Sequence, residues 1–482
     1  MNTLAFKLLV DKSVKRKVEI LQILLSSDIP ISLKSLSEIC KVSYKTIQQD
    51  TNLLLENLSE SLLLVDYNHT LSLVRNGSNR KIIAYIDELV ASNPLYRLIE
   101  SSFYGEKKDL LTLTLELYVS ESTIKKYIKI LKQVLREFDL SLDLNSFTIK
   151  GDEINIRYFF FQYFRYIHES SAPNISENNY QTISLALHAL KERYGLSLNF
   201  DYYRTMLWLF IIETRTDQSY YVSFPKDVLE KYERKESYSK YKRVMKDLFY
   251  LHIENSSIKN QELLFSYFSQ LDTIIYESNR TYLTNDFSAE YSVQESMVTE
   301  FFLRSNKNIA LNHKAKTALQ SYLVNLTLLS ECSPLFQKYP KVLCEKAKNN
   351  YPETYDVWYQ ILSERADFFY LDEVASRMAL LYEVKKYSEI KVLFALTGDS
   401  SSVSYFKALA EKILPNQAEA FFLFNRPLSN DLLLDLQIDC CIYNFEPHIS
   451  ISAAKSYRLS DIPLDIEWQE LQEFLENFRF TP

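Results

Sequence analysis

A chain of 482 residues is long enough for roughly three to five compact domains, and its net charge of −7 argues against nucleic-acid binding along its whole length. Only 5 glycines accompany 35 tyrosines and 29 phenylalanines, where average usage would give roughly 34 glycines. Enzymes that cradle phosphate in Gly-rich loops therefore lose ground. Cys40, Cys332, Cys344, Cys440 and Cys441 show no CxxC or Cys/His spacing, so neither a disulfide framework nor a zinc site is indicated, and no cofactor is implied.

At the N-terminus, "MNTLAFKLLVDKSVKRK" places its apolar run before its charges, the reverse of a signal peptide. The apolar runs also fall far short of the ~20 residues of a membrane span. The expectation is a soluble, cytoplasmic protein with no membrane partner. Residues 1–165 hold 22 basic against 20 acidic side chains, and the rest of the chain holds 33 against 42. The first third is the basic third, a small excess that could equally be a solvated surface.

The first third also contains a repeat. "VSYKTIQQDTNLL" (42–54) recurs as "VSESTIKKYIKIL" (119–131) at an offset of 77 residues, and upstream "LKSLS" (33–37) falls on "LLTLT" (110–114). Downstream, Asp66 and Asn68 fall on Asp143 and Asn145. Each copy predicts a short helix, a turn at Lys41-Val42 or Tyr118-Val119, a longer helix, and two short strands: "LLLVDY" and "TLSLV" in the first, "LSLDL" and "FTIKG" in the second. This is the pattern of a winged helix-turn-helix, twice.

In the longer helices Ile47, Thr51, Leu54 and Leu58 correspond to Ile124, Ile128, Leu131 and Leu135, an inward stripe with helical period. The outward rows are Lys45, Gln48, Gln49 and Asn52 in copy one and Ser122, Lys125, Lys126 and Lys129 in copy two. Gln and Asn pair with adenine edges in the major groove, whereas a lysine row neutralises phosphates. Copy one reads as a reader and copy two as a clamp; the alternative is a pair of ordinary amphipathic helices whose polar faces meet water.

From about residue 166 to 388 the pattern is helical, as in "QTISLALHALKERYG", where Ile183, Leu187, Leu190 and Tyr194 share a face and Gly195 can end the helix. "IRYFFFQYFRYI" (156–167) reads as core. Turn clusters at 170–179 and 284–292 suggest boundaries. The tail differs: "EIKVLFALTG", "AEAFFLFN" and "IDCCIYNF" read as strands, with helices at "SVSYFKALAEKIL" and "IEWQELQEFLENF", which predicts a small open α/β sheet.

The opening "LLVDKSVKRKVEILQIL", the two winged helices and "FTIKGDEINIRYFFFQYF" (147–164) together resemble the Mga/AtxA family of Gram-positive transcriptional regulators, a group of virulence and global regulators. The resemblance implies a mainly α, multidomain protein. Its parts would be winged helix-turn-helix domains at 1–75 and 76–165, PRD-like helical-bundle domains at 166–287 and 288–388, and an EIIB-like α/β domain at 389–482. It implies a non-enzymatic transcription factor, activator or repressor, that binds double-stranded promoter DNA by sequence and by shape. It further implies association with itself as a dimer or higher oligomer, and control by the phosphocarrier protein of the sugar phosphotransferase system. The histidines that accept phosphate in such domains would be His188 and His252 in the first and His313 in the second, with Arg377 standing where the matching spacing would put a partner for His313. A true IIB phosphocarrier carries a nucleophilic cysteine after its first strand; here that loop is "LTGDSSS", Asp399 would repel phosphate, and Cys440 and Cys441 read as buried strand residues. The rival readings are an interaction scaffold that does not bind DNA and a phosphotransferase-system component. The latter would need the missing cysteine.

Overall fold

Ser43 and Ser120 open the two repeated helices in the same way. Each hydroxyl accepts a hydrogen bond from the backbone N–H three residues on, Thr46 at 3.2 Å and Thr123 at 3.3 Å, and so caps a helix whose first N–H groups have no other partner. The computed structural model describes residues 3–25, 27, 29–59, 61–65, 70–73, 80–91, 93–165, 177–194, 201–248, 253–274, 291–307, 313–365, 367–385, 390–415, 418–436 and 438–477. Asp66, Asn68, Gly195 and His252 lie outside those residues, as do most of the two turn clusters.

The chain enters through α1 (Thr3–Leu8) and α2 (Lys12–Leu25). The first repeat follows as β1 (Ile31–Ser32), α3 (Leu33–Ile39), α4 (Tyr44–Asn57), β2 (Leu62–Val65) and β3 (Thr70–Leu73), with an antiparallel sheet in the order β1-β3-β2. Then α5 (Arg80–Ala91) and α6 (Pro94–Phe103) lead into the second repeat: α7 (Leu110–Leu117), α8 (Glu121–Arg136) and the hairpin β4 (Ser141–Leu142) with β5 (Ile149–Lys150). Lys41 (φ 54) and Tyr118 (φ 52) both adopt the left-handed conformation that ends α3 and α7. The next residue closes the turn in each copy, Val42 N–H on Ser37 O at 3.1 Å and Val119 N–H on Thr114 O at 3.2 Å.

The second hairpin is shorter than its sequence suggests. Asp143 accepts from Asn145 N–H and from Ser146 Oγ, both at 2.9 Å, so residues that would extend the strands form a side-chain-closed turn instead. Gly151 then turns the chain at φ +152, where a Cβ would lie 2.6 Å from Leu140 Cδ2. Asp152 caps α9 (Glu153–Phe164).

That helix carries the aromatic run predicted as core, and Phe159, Phe160, Phe161, Tyr163 and Phe164 are all buried. It packs on α11 of the helical middle, which runs α10 (Glu177–Tyr194), α11 (Tyr202–Asp217), α12 (Lys226–Glu233), α13 (Glu236–Leu248) and α14 (Ser256–Leu271). Phe161 stacks on Trp208 at 4.1 Å, a contact that joins the helix-turn-helix region and α10–α14 into one continuous core. A second core is built by α15 (Ser292–Arg304), α16 (His313–Cys332), α18 (Pro352–Ser363) and α19 (Leu371–Lys385), centred on Phe301 stacked against Trp358 at 4.5 Å, and α17 (Lys341–Asn350) packs against α19. A single 3₁₀ turn, Pro334–Gln337, connects α16 to α17.

The tail holds β6 (Ile390–Leu396), α20 (Ser400–Ile413), β7 (Ala418–Phe424), α21 (Asn430–Asp435), β8 (Cys440–Tyr443), β9 (Lys455–Arg458) and α22 (Asp465–Asn477). Its strands are all parallel in the order β7-β6-β8-β9. Val392 and Phe394 face one core layer and Leu393 and Ala395 the other, because a parallel strand covered on both faces is apolar at every position. The short α21 and the exposed edge strand β9 had no distinct signal in the sequence. Among the described residues no helix is long and apolar enough to cross a membrane.

Candidate nucleic-acid interface

The repeat stripe is buried in both copies: Ile47, Thr51, Leu54 and Leu58 in the first, and Ile124, Ile128, Leu131 and Leu135 in the second. With the inward side fixed, helical geometry turns the other rows to solvent. Lys45, Gln48, Gln49 and Asn52 on α4 are exposed, and so are Ser122, Lys125, Lys126 and Lys129 on α8. Among the described residues Lys125 meets only Glu121, at 3.8 Å with both side chains about two-thirds exposed (68% and 64%), a pairing too weak and too wet to withdraw it from an anionic partner.

The scaffolds behind the rows differ, and in ways the sequence reading missed. Asp50 of α4 is 3% exposed and is held by Arg16 Nε and Ser13 Oγ of α2; the equivalent position in α8 is Tyr127. An aspartate beside an apolar stripe gives no sequence signal of its own partner. Behind α8, the Glu137 carboxylate that follows the helix holds Lys7 Nζ at 2.5 Å, and its carbonyl accepts from Lys338 Nζ. Leu111 and Leu115 on α7 and Tyr118 at its end are 65%, 67% and 93% exposed, where copy one carries Lys34, Glu38 and Lys41.

His188 is exposed on α10, and His313 is the first residue of α16. In the tail, Asp399 caps α20 and accepts from Ser401 N–H at 2.8 Å and Ser402 N–H at 3.0 Å, and from both serine hydroxyls. Those hydrogen bonds hold its carboxyl well below the usual carboxylate range, so the donors that could greet a phosphate there already serve a permanent anion. Cys440 and Cys441 are buried in β8, and burial pushes both thiols up to about 12, far from the thiolate a nucleophile needs.

Comparison with known proteins bears on the same region. Residues 75–164, from just before α5 through α9, match the Mga helix-turn-helix domain. The chain is also 20% identical over 499 residues to the capsule synthesis positive regulator AcpB of Bacillus anthracis, an alignment covering 97% of this chain and 99% of that protein. The domain match falls on the second repeat and the alignment runs nearly end to end. Both findings support a likeness to the Mga/AtxA family of transcriptional regulators.

Proposed function

We propose that the protein regulates transcription by binding duplex promoter DNA through two winged helix-turn-helix domains, residues 1–75 and 76–165, with α4 reading bases and α8 clamping phosphate. The observation that carries this reading is the pair of exposed polar rows, at equivalent positions of a 77-residue repeat, on helices whose opposite faces are fixed in the core. The test is equilibrium binding to native upstream DNA, recovered by sequencing fragments that co-purify with the protein, at stepped salt concentrations. Log affinity is expected to fall with log salt by about 0.9 per phosphate contacted; absence of binding, or binding insensitive to salt, overturns the reading. Exposed Leu111, Leu115 and Tyr118 favour an additional protein contact on α7, and a scaffold that uses only such contacts would be the salt-insensitive case.

The remaining regions serve control in this reading. Residues 166–287 and 288–388 act as PRD-like domains that accept phosphate from a phosphocarrier protein, with His188, His252 and His313 as acceptors; the exposure of His188 supports access to it. Residues 389–482 form an EIIB-like domain used for self-association. In its support, Asp399 occupies the loop donors, both strand cysteines are buried, and Ile462, Leu464 and Ile466 are 77%, 63% and 56% exposed. A dimer would set two pairs of reading helices on one duplex and raise the effective concentration of each. Sedimentation velocity of the full chain, before and after phosphocarrier treatment, and of a chain ending at Lys385 tests both roles. The truncated chain is expected to be monomeric at low micromolar concentration and the treated chain to shift in assembly. An equally oligomeric truncated chain rules out the tail's role, and unchanged sedimentation of a chain shown to carry phosphohistidine rules out control of assembly by phosphate.

A further inference from the structure

A cavity of about 500 Å³ lies where α1, the end of α8, α9, α11, α14, α16, α17 and α19 meet. That volume is in the range of pockets for metabolite-sized ligands, roughly 300 to 1,000 Å³. Its charge is unbalanced. Six cations line it, Lys7, Arg165, Arg204, Lys338, Lys341 and Arg377, against three carboxylates, Glu137, Asp272 and Glu373. Two of those carboxylates are engaged, Glu137 with Lys7 and Asp272 with Arg204.

Arg377 has no carboxylate within ion-pair distance among the described residues. Its guanidinium donates to Tyr322 Oη at 2.7 Å and to the Lys338 carbonyl, lies over the Tyr339 ring at 4.6 Å, and leaves a buried Nε–H without an acceptor. The Nε–H of Arg204 is likewise buried and unmet. A guanidinium offers five donors, and buried donors left over in a folded protein call for a partner. Lys338 also meets a carbonyl and the Phe138 ring in place of a carboxylate, and burial lowers its pKa below the ordinary lysine range. The rest of the wall is mostly aromatic and aliphatic, including Tyr158 and Phe336, with the amides of Gln162 and Asn325 among them.

We propose that this cavity binds a small organic anion, a phosphate or carboxylate head on a ring-sized apolar body, and that the anion is an effector of the regulator. The head sits among Arg377, Lys338 and Lys7, and the body lies against the aromatic wall. The link to DNA binding rests on the function proposed above: Glu137 directly follows α8, and an incoming anion competes with its carboxylate for Lys7, so occupancy alters how the end of α8 is held.

Calorimetric titration of the full chain with phenyl phosphate, benzoate, inorganic phosphate and phenol tests the site without reference to DNA. Saturable binding of phenyl phosphate or benzoate, with phenol at least about tenfold weaker, is expected, since a charge-assisted hydrogen bond contributes enough for a tenfold change or more. Arg377→Met and Lys7→Met are each expected to weaken that binding about tenfold, whereas Lys226→Met, at a side chain 90% exposed on α12, leaves it unchanged. If Arg377→Met loses its folded circular dichroism, Lys7→Met decides. The site is overturned by no saturable binding of either charged ring probe up to about 10 mM, a limit corresponding to very weak affinity, by equal affinity for phenol, or by unaltered affinity in Lys7→Met. A probe that binds as expected yet leaves DNA affinity unchanged overturns the effector role alone, and absence of DNA binding with or without probe overturns the function reading while the site stands.

Discussion

Replacing Glu262 by Ala is expected to destabilise the protein by about 3 to 5 kcal/mol, the range seen when one partner of a buried charge pair is removed and the other remains. Arg157 is fully buried, and its guanidinium donates to both Glu262 oxygens at 2.6 and 3.1 Å, to Glu153 Oε1 at 3.1 Å and to the Tyr220 carbonyl at 2.9 Å. Glu153 is shared with Arg215, whose Nη2 lies 2.7 Å from its Oε2. Without Glu262, two buried guanidiniums would face one carboxylate, and the Val222 N–H that donates to Glu262 at 2.9 Å would also be left without its acceptor. The network ties α9, the last helix of the region matching the Mga domain, to α11 and α14. Its removal is therefore expected to appear as a lowered first transition in scanning calorimetry. Glu300→Ala, which removes partly exposed pairs with Arg304 and Arg365, is expected to cost less than about 1 kcal/mol. The double substitution Arg157→Met with Glu262→Leu is expected to recover much of the stability, because the uncompensated charge is gone. Equal transition temperatures for Glu262→Ala and Glu300→Ala would show that the buried network does not hold these elements together.

Replacing Lys125, Lys126 and Lys129 together by Ala is expected to weaken DNA binding on every sequence and to flatten the salt slope by about one unit per lysine that meets a phosphate, up to about three. The three side chains are exposed on one face of α8 while Ile124, Ile128 and Leu131 are buried on the other, so truncation removes charge without opening the core. Gln48→Ala with Gln49→Ala is expected to act differently. It leaves the slope in place and shifts preference among sites by about 1 to 3 kcal/mol for each bidentate hydrogen-bonded pairing with a base that it abolishes. Full affinity and an unaltered slope in the lysine triple variant would remove the clamp role from α8.

The repeat was legible in the sequence because its determinants are short-range. A serine cap, a left-handed turn residue and an apolar stripe of helical period act within one or two turns of chain, so Ser43 and Ser120, Lys41 and Tyr118, and the paired stripes could be matched by spacing alone. The tail strands were legible for the same reason: runs such as Ile390–Leu396 are apolar almost throughout and bounded by turn residues. Strand β9 and helix α21 escaped because an exposed edge strand and a helix of less than two turns carry too little pattern to stand out.

The charges could not be placed from the sequence. Asp50, Arg157, Glu262 and Arg377 look like any other surface charges until the helices pack, and their partners lie far away along the chain: Arg16 for Asp50, Glu262 for Arg157 at a separation of 105 residues, and Tyr322 for Arg377. Sequence periodicity determined which face of each helix is buried, since the free energy of burying an apolar stripe is set by local spacing. Tertiary packing alone decided which buried charges meet and which are left with spare donors, because a charge removed from water is held by whatever group the neighbouring element supplies, and no local rule specifies that neighbour.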